Sequence, residues 1–316
     1  MHPAPLPSSS AAASGFPALL VEAFAEQPCQ GNGAAVVLLD RPLADRWLQA
    51  LARSLQQSET AFLLPWEGRW LLRWFTPSCE VPLCGHATLA ATLALGHWGQ
   101  LQPDATLPLH SRSGPLTVTL LAPGAAAIVL PSRGLIPAAA GAELQAYLQR
   151  HLGCAATAAW DSPLGYRVVL LPPEAPLAEV ELPAAQLPAA ERPGLVLMQA
   201  LPAAGNLQVL GRPCHYQLRF LAPGLGIPED PVTGSAHALV APWWLEQLGL
   251  RQVVGWQCSD RPGGMLCERE SSGMIRLCGA GQLLWDGTLR PGAIACAASD
   301  LDPADLDADR WRGLLA

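Results

Sequence analysis

The chain has 316 residues, half of them hydrophobic and 14% charged, with a net charge of −7 and a pI near 5.5. That is material for about two domains, since one hydrophobic core rarely grows past ~250 residues. The 19 Lys and Arg form no run, which argues against nucleic acid and anionic membrane as main partners, because both need a basic face.

The opening MHPAPLPSSSAAASG lacks the basic segment and apolar core of a secretory signal, and its composition predicts a disordered leader over 1–15. Ala18–Phe24 and Ala34–Leu39 flank the turn-rich QPCQGNG and read as a strand pair. Asp45–Gln56 places Trp47, Leu48, Leu51 and Leu55 at helical spacing. Ala61–Pro65 and Trp70–Phe75 read as strands around a Glu67-Gly68 turn. Ala87–Gly99 is apolar nearly all round, which predicts a helix buried on every side. Leu116–Leu121 and Ala127–Leu130 suggest a hairpin, and the Pro-rich stretch from Pro131 to Ala140 a linker.

The second half repeats this order. Ala142–Leu152 reads as a helix, and Tyr166–Leu171, Gly194–Ala200 and Gln217–Leu221 as strands. Ala236–Leu248 is a second apolar helix, followed by short strands near Val253–Cys258, Met274–Cys278 and Gly287–Leu289. An acidic tail over 300–316 predicts a short appended helix of no catalytic interest. Many short strands and one apolar helix per half predict an α+β architecture, a curved sheet wrapped around each helix. The N-terminal lobe is expected over 16–131 with a strand from near 287–292, and the C-terminal lobe over 132–286. No apolar stretch approaches the ~20 residues of a membrane span, so no membrane partner is expected. Nine cysteines without regular spacing fit reduced thiols, hence a cytoplasmic location.

PLCGHATLAA at Pro82 meets PVTGSAHALV at Pro231 when the chain is slid by 149 residues. Gly85 then falls on Gly234, His86 on Ser235, Ala87 on Ala236 and Leu101 on Leu250, as a duplicated half would give. Duplicate halves would face each other across a cleft, with both helix starts in it. Each start offers unpaired N–H groups and the positive end of a helix dipole, suited to a carboxylate. Gly85, Ala87, Gly234, Ser235 and Ala236 are small enough to let a ligand close, and His86, Glu229, Asp230 and Ser235 add polar groups. Glu59, in SETAF, opens an apolar strand; a hydrophobic setting would raise its pKa, as a general base and acid near neutral pH needs.

CQGNGAAVVLLD, SETAF, LRWFTPSCEVPLCGHATLAAT, EDPVTGSAHA and QCSDRPGG together resemble the phenazine biosynthesis-like (PhzF-like) family, of diaminopimelate epimerase-like fold. The resemblance runs from about Phe16 to Leu289; Gly33 stands where the family usually has Pro, and the C-terminal tail is extra. It implies two pseudo-symmetric lobes, each a barrel-like sheet around a central helix, usually in a homodimer. It also implies cofactor-independent isomerisation by proton transfer on a small anionic substrate. By motif, Glu59 is the acid/base, with His86, Asp230 and Ser235 as supporting polar groups, and Gly85 and Gly234 mark the anion-binding helix starts. In the epimerase relatives two cysteines act as paired base and acid. Cys84 stands at the first of those positions and Thr233 at the second, so Cys84 is expected to be a bystander. A non-catalytic binding or regulatory protein and a Cys84-dependent racemase remain as alternatives.

Cys79, Cys84 and His86 are candidate metal ligands by type, but no matching set follows at a zinc-site spacing, so no metal is expected. His110, His151 and His215 are isolated, and Cys258, Cys267 and Cys278 read as core. The eleven Trp signal packing. Without a G-x-G-x-x-G or P-loop pattern, no nucleotide cofactor is implied.

Overall fold

Gly85 and Gly234 each open a helix too apolar to leave any side in water, and strands gather around it. The structure, a computed structural model, describes residues 15–202, 205–271, 273–290 and 308–315. The expected leader, apart from Gly15, and the tail up to residue 307 lie outside the described residues. The described α-helices are α1 (Asp45–Leu55), α2 (Gly85–His97), α3 (Ala142–Leu152), α4 (Gly234–Leu248) and α5 (Ala308–Arg312). The fold is α+β, with two pseudo-symmetric lobes each built on one apolar helix. No described helix is long and apolar enough to cross a membrane.

The chain divides into two units, one of residues 1–23, 33–128 and 281–316, the other of 24–32 and 129–280. Relative to the expected lobes, 24–32 belongs with the second unit, and the returning strand joins the first from Gly281.

In the first unit, α2 is buried continuously from His86 to Leu95. It packs on the strands Phe16–Ala23, Glu59–Trp66 and Gly114–Ala122. Glu59–Trp66 runs parallel to Asn32–Leu38 and antiparallel to Arg69–Phe75, which pairs in turn with the two-residue strand Glu80–Val81. α1 lays Leu48 and Ala52 on a separate apolar cluster that includes Val37, Phe62, Phe75 and Trp311. In the second unit, α4 packs on the strands Gln252–Gln257 and Gly263–Ser271. Tyr216–Leu221 pairs antiparallel with Leu195–Ala200 and with Glu229–Asp230. α3 closes a cluster of its own with Val169, Leu177, Leu195 and Leu197.

Glu80–Val81 precedes α2 as Glu229–Asp230 precedes α4, at the offset of 149 residues seen in the sequence. Both helices start two residues earlier than their apolar runs suggest, at Gly85 and Gly234. The segments read as separate strands at Met274–Cys278 and Gly287–Leu289 are one strand, Met274–Leu289. Its glycines look like breaks in the sequence but serve close packing: a Cβ at Gly279 would strike the Phe24 ring, and one at Gly281 would strike Leu93. Strands at Thr106–Ser111, Ala158–Asp161 and Gly263–Ser271 carry no signal that the sequence reading used. The described end of the tail is docked rather than appended, with Trp311 fully buried.

Candidate functional site

Gln56 ends α1 in the left-handed conformation, with φ of 54°, and turns the chain so that Ser58 and Glu59 open the next strand. Ser58 Oγ donates to Gly33 O at 2.9 Å. The contact uses a backbone carbonyl, so the glycine that departs from the family pattern costs it nothing. Beside Glu59 lies the start of α2. Cys84, its N-cap, is extended (φ −143°) and makes no side-chain cap. With Gly85 in the first helical position, the Cys84 and His86 side chains come to the same place. His86 Nε2 is 3.0 Å from Glu59 Oε2 and 3.1 Å from Ser58 Oγ, and Cys84 Sγ is 3.5 Å from His86 Nδ1.

Charge follows from these contacts. Burial alone would push the Glu59 carboxyl up, as the sequence suggested; the adjacent His86 charge and hydrogen bonds outweigh it, and the pKa falls below the usual carboxylate value. This corrects the expected direction. Burial disfavours the His86 imidazolium, but its interactions with the Cys84 sulfur and the Glu59 carboxylate raise its pKa well above the ordinary value. Burial first, and the Glu59 charge second, push the Cys84 thiol up to about 11. At neutral pH Cys84 is thus a thiol, and the partner of the imidazolium is Glu59. Oε2 is buried within ion-pair distance of His86. A buried carboxylate oxygen with a spare lone pair is a proton acceptor.

The second unit gathers Asp230, Thr233, Gly234, Ser235 and Ala236 at the start of α4. Asp230 accepts from Asn32 Nδ2 at 2.8 Å and from Thr233 Oγ1 at 2.5 Å. The fully buried Gln257 straps the same turn, accepting from Thr233 N at 2.8 Å and donating to Asp230 O at 2.6 Å. The hydroxyl of Thr233, at the position matching Cys84, is therefore committed to Asp230. Ser235 is half-buried beside the Tyr166 phenol, whose pKa burial raises. Ala87 and Ala236 are fully buried, whereas Gly85 is half-buried at the helix start.

Glu59 and His86 thus come together, joined by Ser58 and Cys84; Asp230 and Ser235 form a second group in the other unit. Glu229, read as a polar group beside the helix start, is held by Arg219, Nε to Oε1 at 2.8 Å and Nη2 to Oε2 at 2.6 Å. Arg73 grips Glu80 in the same way at 2.8 and 2.9 Å. Glu80 and Glu229 are 149 residues apart, so each helix start hangs from one arginine–glutamate fork. Sequence reasoning missed Ser58, Asn32, Gln257 and both forks. Ser58, Asn32 and Gln257 stand inside the quoted motifs SETAF, CQGNGAAVVLLD and QCSDRPGG, which was the available signal.

A family model described as phenazine biosynthesis-like protein matches residues 21–133 and 169–283. An uncharacterized isomerase of Pseudomonas aeruginosa is 34% identical over 276 residues, covering 85% of this chain and 97% of its own. A phenazine biosynthesis-like domain-containing protein of Mus musculus is 32% identical over 300 residues, covering 87% and 99%. The crystal structure of a PhzF-family phenazine biosynthesis protein from Enterococcus faecalis superposes with a TM-score of 0.76 at 30% identity, covering 86% of this chain and 98% of that one.

Proposed function

The chain belongs to the phenazine biosynthesis-like family and is an isomerase, and on that footing we propose that it moves a proton within a small carboxylated metabolite. The substrate's carboxylate would be held by helix starts such as those at Gly85 and Ala87 and at Gly234 and Ala236. No cofactor takes part in this scheme. Glu59 would take a proton from carbon and return it elsewhere on the same molecule. The observation that supports it is the buried Glu59 Oε2, held 3.0 Å from His86 Nε2 at the start of α2.

His86 supplies the other half of the chemistry. While Glu59 is charged, the imidazolium stabilises it; when Glu59 takes a proton, that attraction disappears. The acquired proton is then easily returned, as a shuttle requires. An imidazolium also stabilises negative charge as it develops on the substrate. Asp230 has both carboxylate oxygens engaged, so its part is to position Thr233, Gly234 and Ser235. Cys84 is a protonated thiol and Thr233 a committed hydroxyl, which disfavours a two-thiol racemase.

Solvent deuterium incorporation into carboxylated compounds with an acidic C–H is the test. Glu59→Gln should abolish exchange while binding survives, and Cys84→Ala should change exchange less than about threefold. Exchange retained in Glu59→Gln but lost in Cys84→Ala would overturn the proposal in favour of cysteine chemistry. A homodimer and a cytoplasmic location complete the proposal.

A further inference from the structure

The carboxylate of Glu59, the thiol of Cys84 and the ring of His86 each place one donor atom within 4.8 Å of the others. This is a different set from the Cys79, Cys84 and His86 considered in the sequence. Glu59 comes from the strand that α2 packs on, and strand pairing brings it to the helix start. His86 Nε2 is 3.0 Å from Glu59 Oε2 and 3.9 Å from Cys84 Sγ. Zinc bonds of about 2.0–2.3 Å in a tetrahedron hold ligand atoms about 3.3–3.7 Å apart. The two His86 spacings fall on either side of that range, and side-chain adjustment would bring the three donors, all within 4.8 Å of one another, onto one ion.

We infer that Glu59, Cys84 and His86 form a binding site for a borderline dication of the zinc class, with a fourth position open to water. The donor set selects this class. Sulfur and imidazole nitrogen suit zinc and cobalt, whereas magnesium and calcium take oxygen cages. Charge agrees as well. A carboxylate and a thiolate neutralise the dication, so the buried complex carries no net charge. That matters because the start of α2 contributes about half a positive charge, which would repel an uncompensated cation. On binding, an S–metal bond replaces S–H, the thiol and imidazolium protons leave to solvent, and nothing is oxidised or reduced.

Metal binding itself does not depend on the proton-transfer proposal. Its consequence does: the cation occupies the lone pair on Glu59 that proton transfer needs, and so blocks the reaction.

Titration of the reduced full-length protein with Co²⁺ tests the site. One ion per chain should bind, with a thiolate-to-cobalt charge-transfer band and tetrahedral d–d absorption, both removed by added Zn²⁺. Cys84→Ser should eliminate the charge-transfer band and weaken Zn²⁺ binding by at least about 100-fold. Glu59→Gln should keep the band but weaken binding by at least about tenfold. Replacing the exposed thiols Cys29 and Cys79 by Ser should leave the spectrum unchanged. No band in the wild-type protein, a band that persists in Cys84→Ser, or one lost with Cys29 and Cys79 would overturn the site. Binding that Glu59→Gln does not weaken would overturn it too. Zn²⁺ bound with the expected spectrum while deuterium exchange continues would sink the role given to Glu59 and leave the site standing.

Discussion

His86 and His237 lie in the two apolar helices, and each is buried, yet they hold opposite protonation states. Next to His86 is a carboxylate. His237 has instead the Tyr216 phenol at 2.8 Å on Nδ1, with Cys267 beside that phenol and the Gln257 amide as a neutral neighbour. With no carboxylate to offset burial, the His237 pKa falls to about 3. The unfolded chain takes up this proton near pH ~6.5 and the native chain does not, so stability from neutral His237 is full above ~6.5 and drains as pH falls, by up to about 1.4 kcal/mol per unit. In His237→Gln, urea unfolding between pH 6.5 and 5 should show a slope shallower by about 1 kcal/mol per unit than wild type. Identical slopes would mean that His237 is protonated in the native state. The sequence marked Glu59 and His86 as site residues but misjudged the direction of the Glu59 shift. Composition reveals a hydrophobic setting; it cannot reveal which charge the fold brings to 3.0 Å from a residue 27 positions along the chain.

The short strands Glu80–Val81 and Glu229–Asp230 are too brief to fix the helix starts that follow by strand pairing alone. The arginine–glutamate forks do that, holding each strand by two charge-assisted hydrogen bonds to a buried guanidinium. Removing one partner strands a charge, so Arg219→Met should cost about 3 kcal/mol, while Arg219→Met with Glu229→Leu should recover more than half of it. Chemical denaturation reads both; a double variant as unstable as the single one would show that the fork contributes packing rather than charge pairing. Likewise Gln257→Leu should loosen the Asp230–Thr233 turn, raising amide hydrogen exchange at Thr233 by at least about tenfold, since its N–H loses its acceptor. Unchanged protection there would remove Gln257 from its strapping role. The helices were legible at this scale because α1 and α3 show the helical period and α2 and α4 each carry a long apolar run. The forks were not: Arg73 and Arg219 are separated from their partners by different lengths of chain, and nothing local distinguishes them from surface arginines. The strand Met274–Leu289 was split for a related reason, since glycine marks a turn and a close approach equally well.

At the scale of the whole molecule, the last helix changes what the C-terminal tail means. α5 is five residues long and could not hold itself together alone. It persists because Trp311 is fully buried, donates Nε1–H to Leu43 O at 3.2 Å and lies on the apolar cluster that α1 covers. The Arg73 guanidinium is stacked between the Trp311 and Phe75 rings, 5.1 Å from each centroid, so the tail also encloses the fork that holds the start of α2. Exposed Arg310 and Arg312 add ion pairs of little weight. Trp311→Ala should therefore lower stability by about 3–5 kcal/mol, as loss of a buried tryptophan does. Spread over a chain of this size, that is a fall of about 10 °C in Tm. Arg310→Ala should shift Tm by less than about 2 °C, because its head is in water. Truncation before Ala308 should match Trp311→Ala in thermal melting followed by tryptophan fluorescence. A truncated protein melting within 2 °C of the full chain, measured side by side, would show that the tail is dispensable and that Arg73 is held by Glu80 and Asp45 alone.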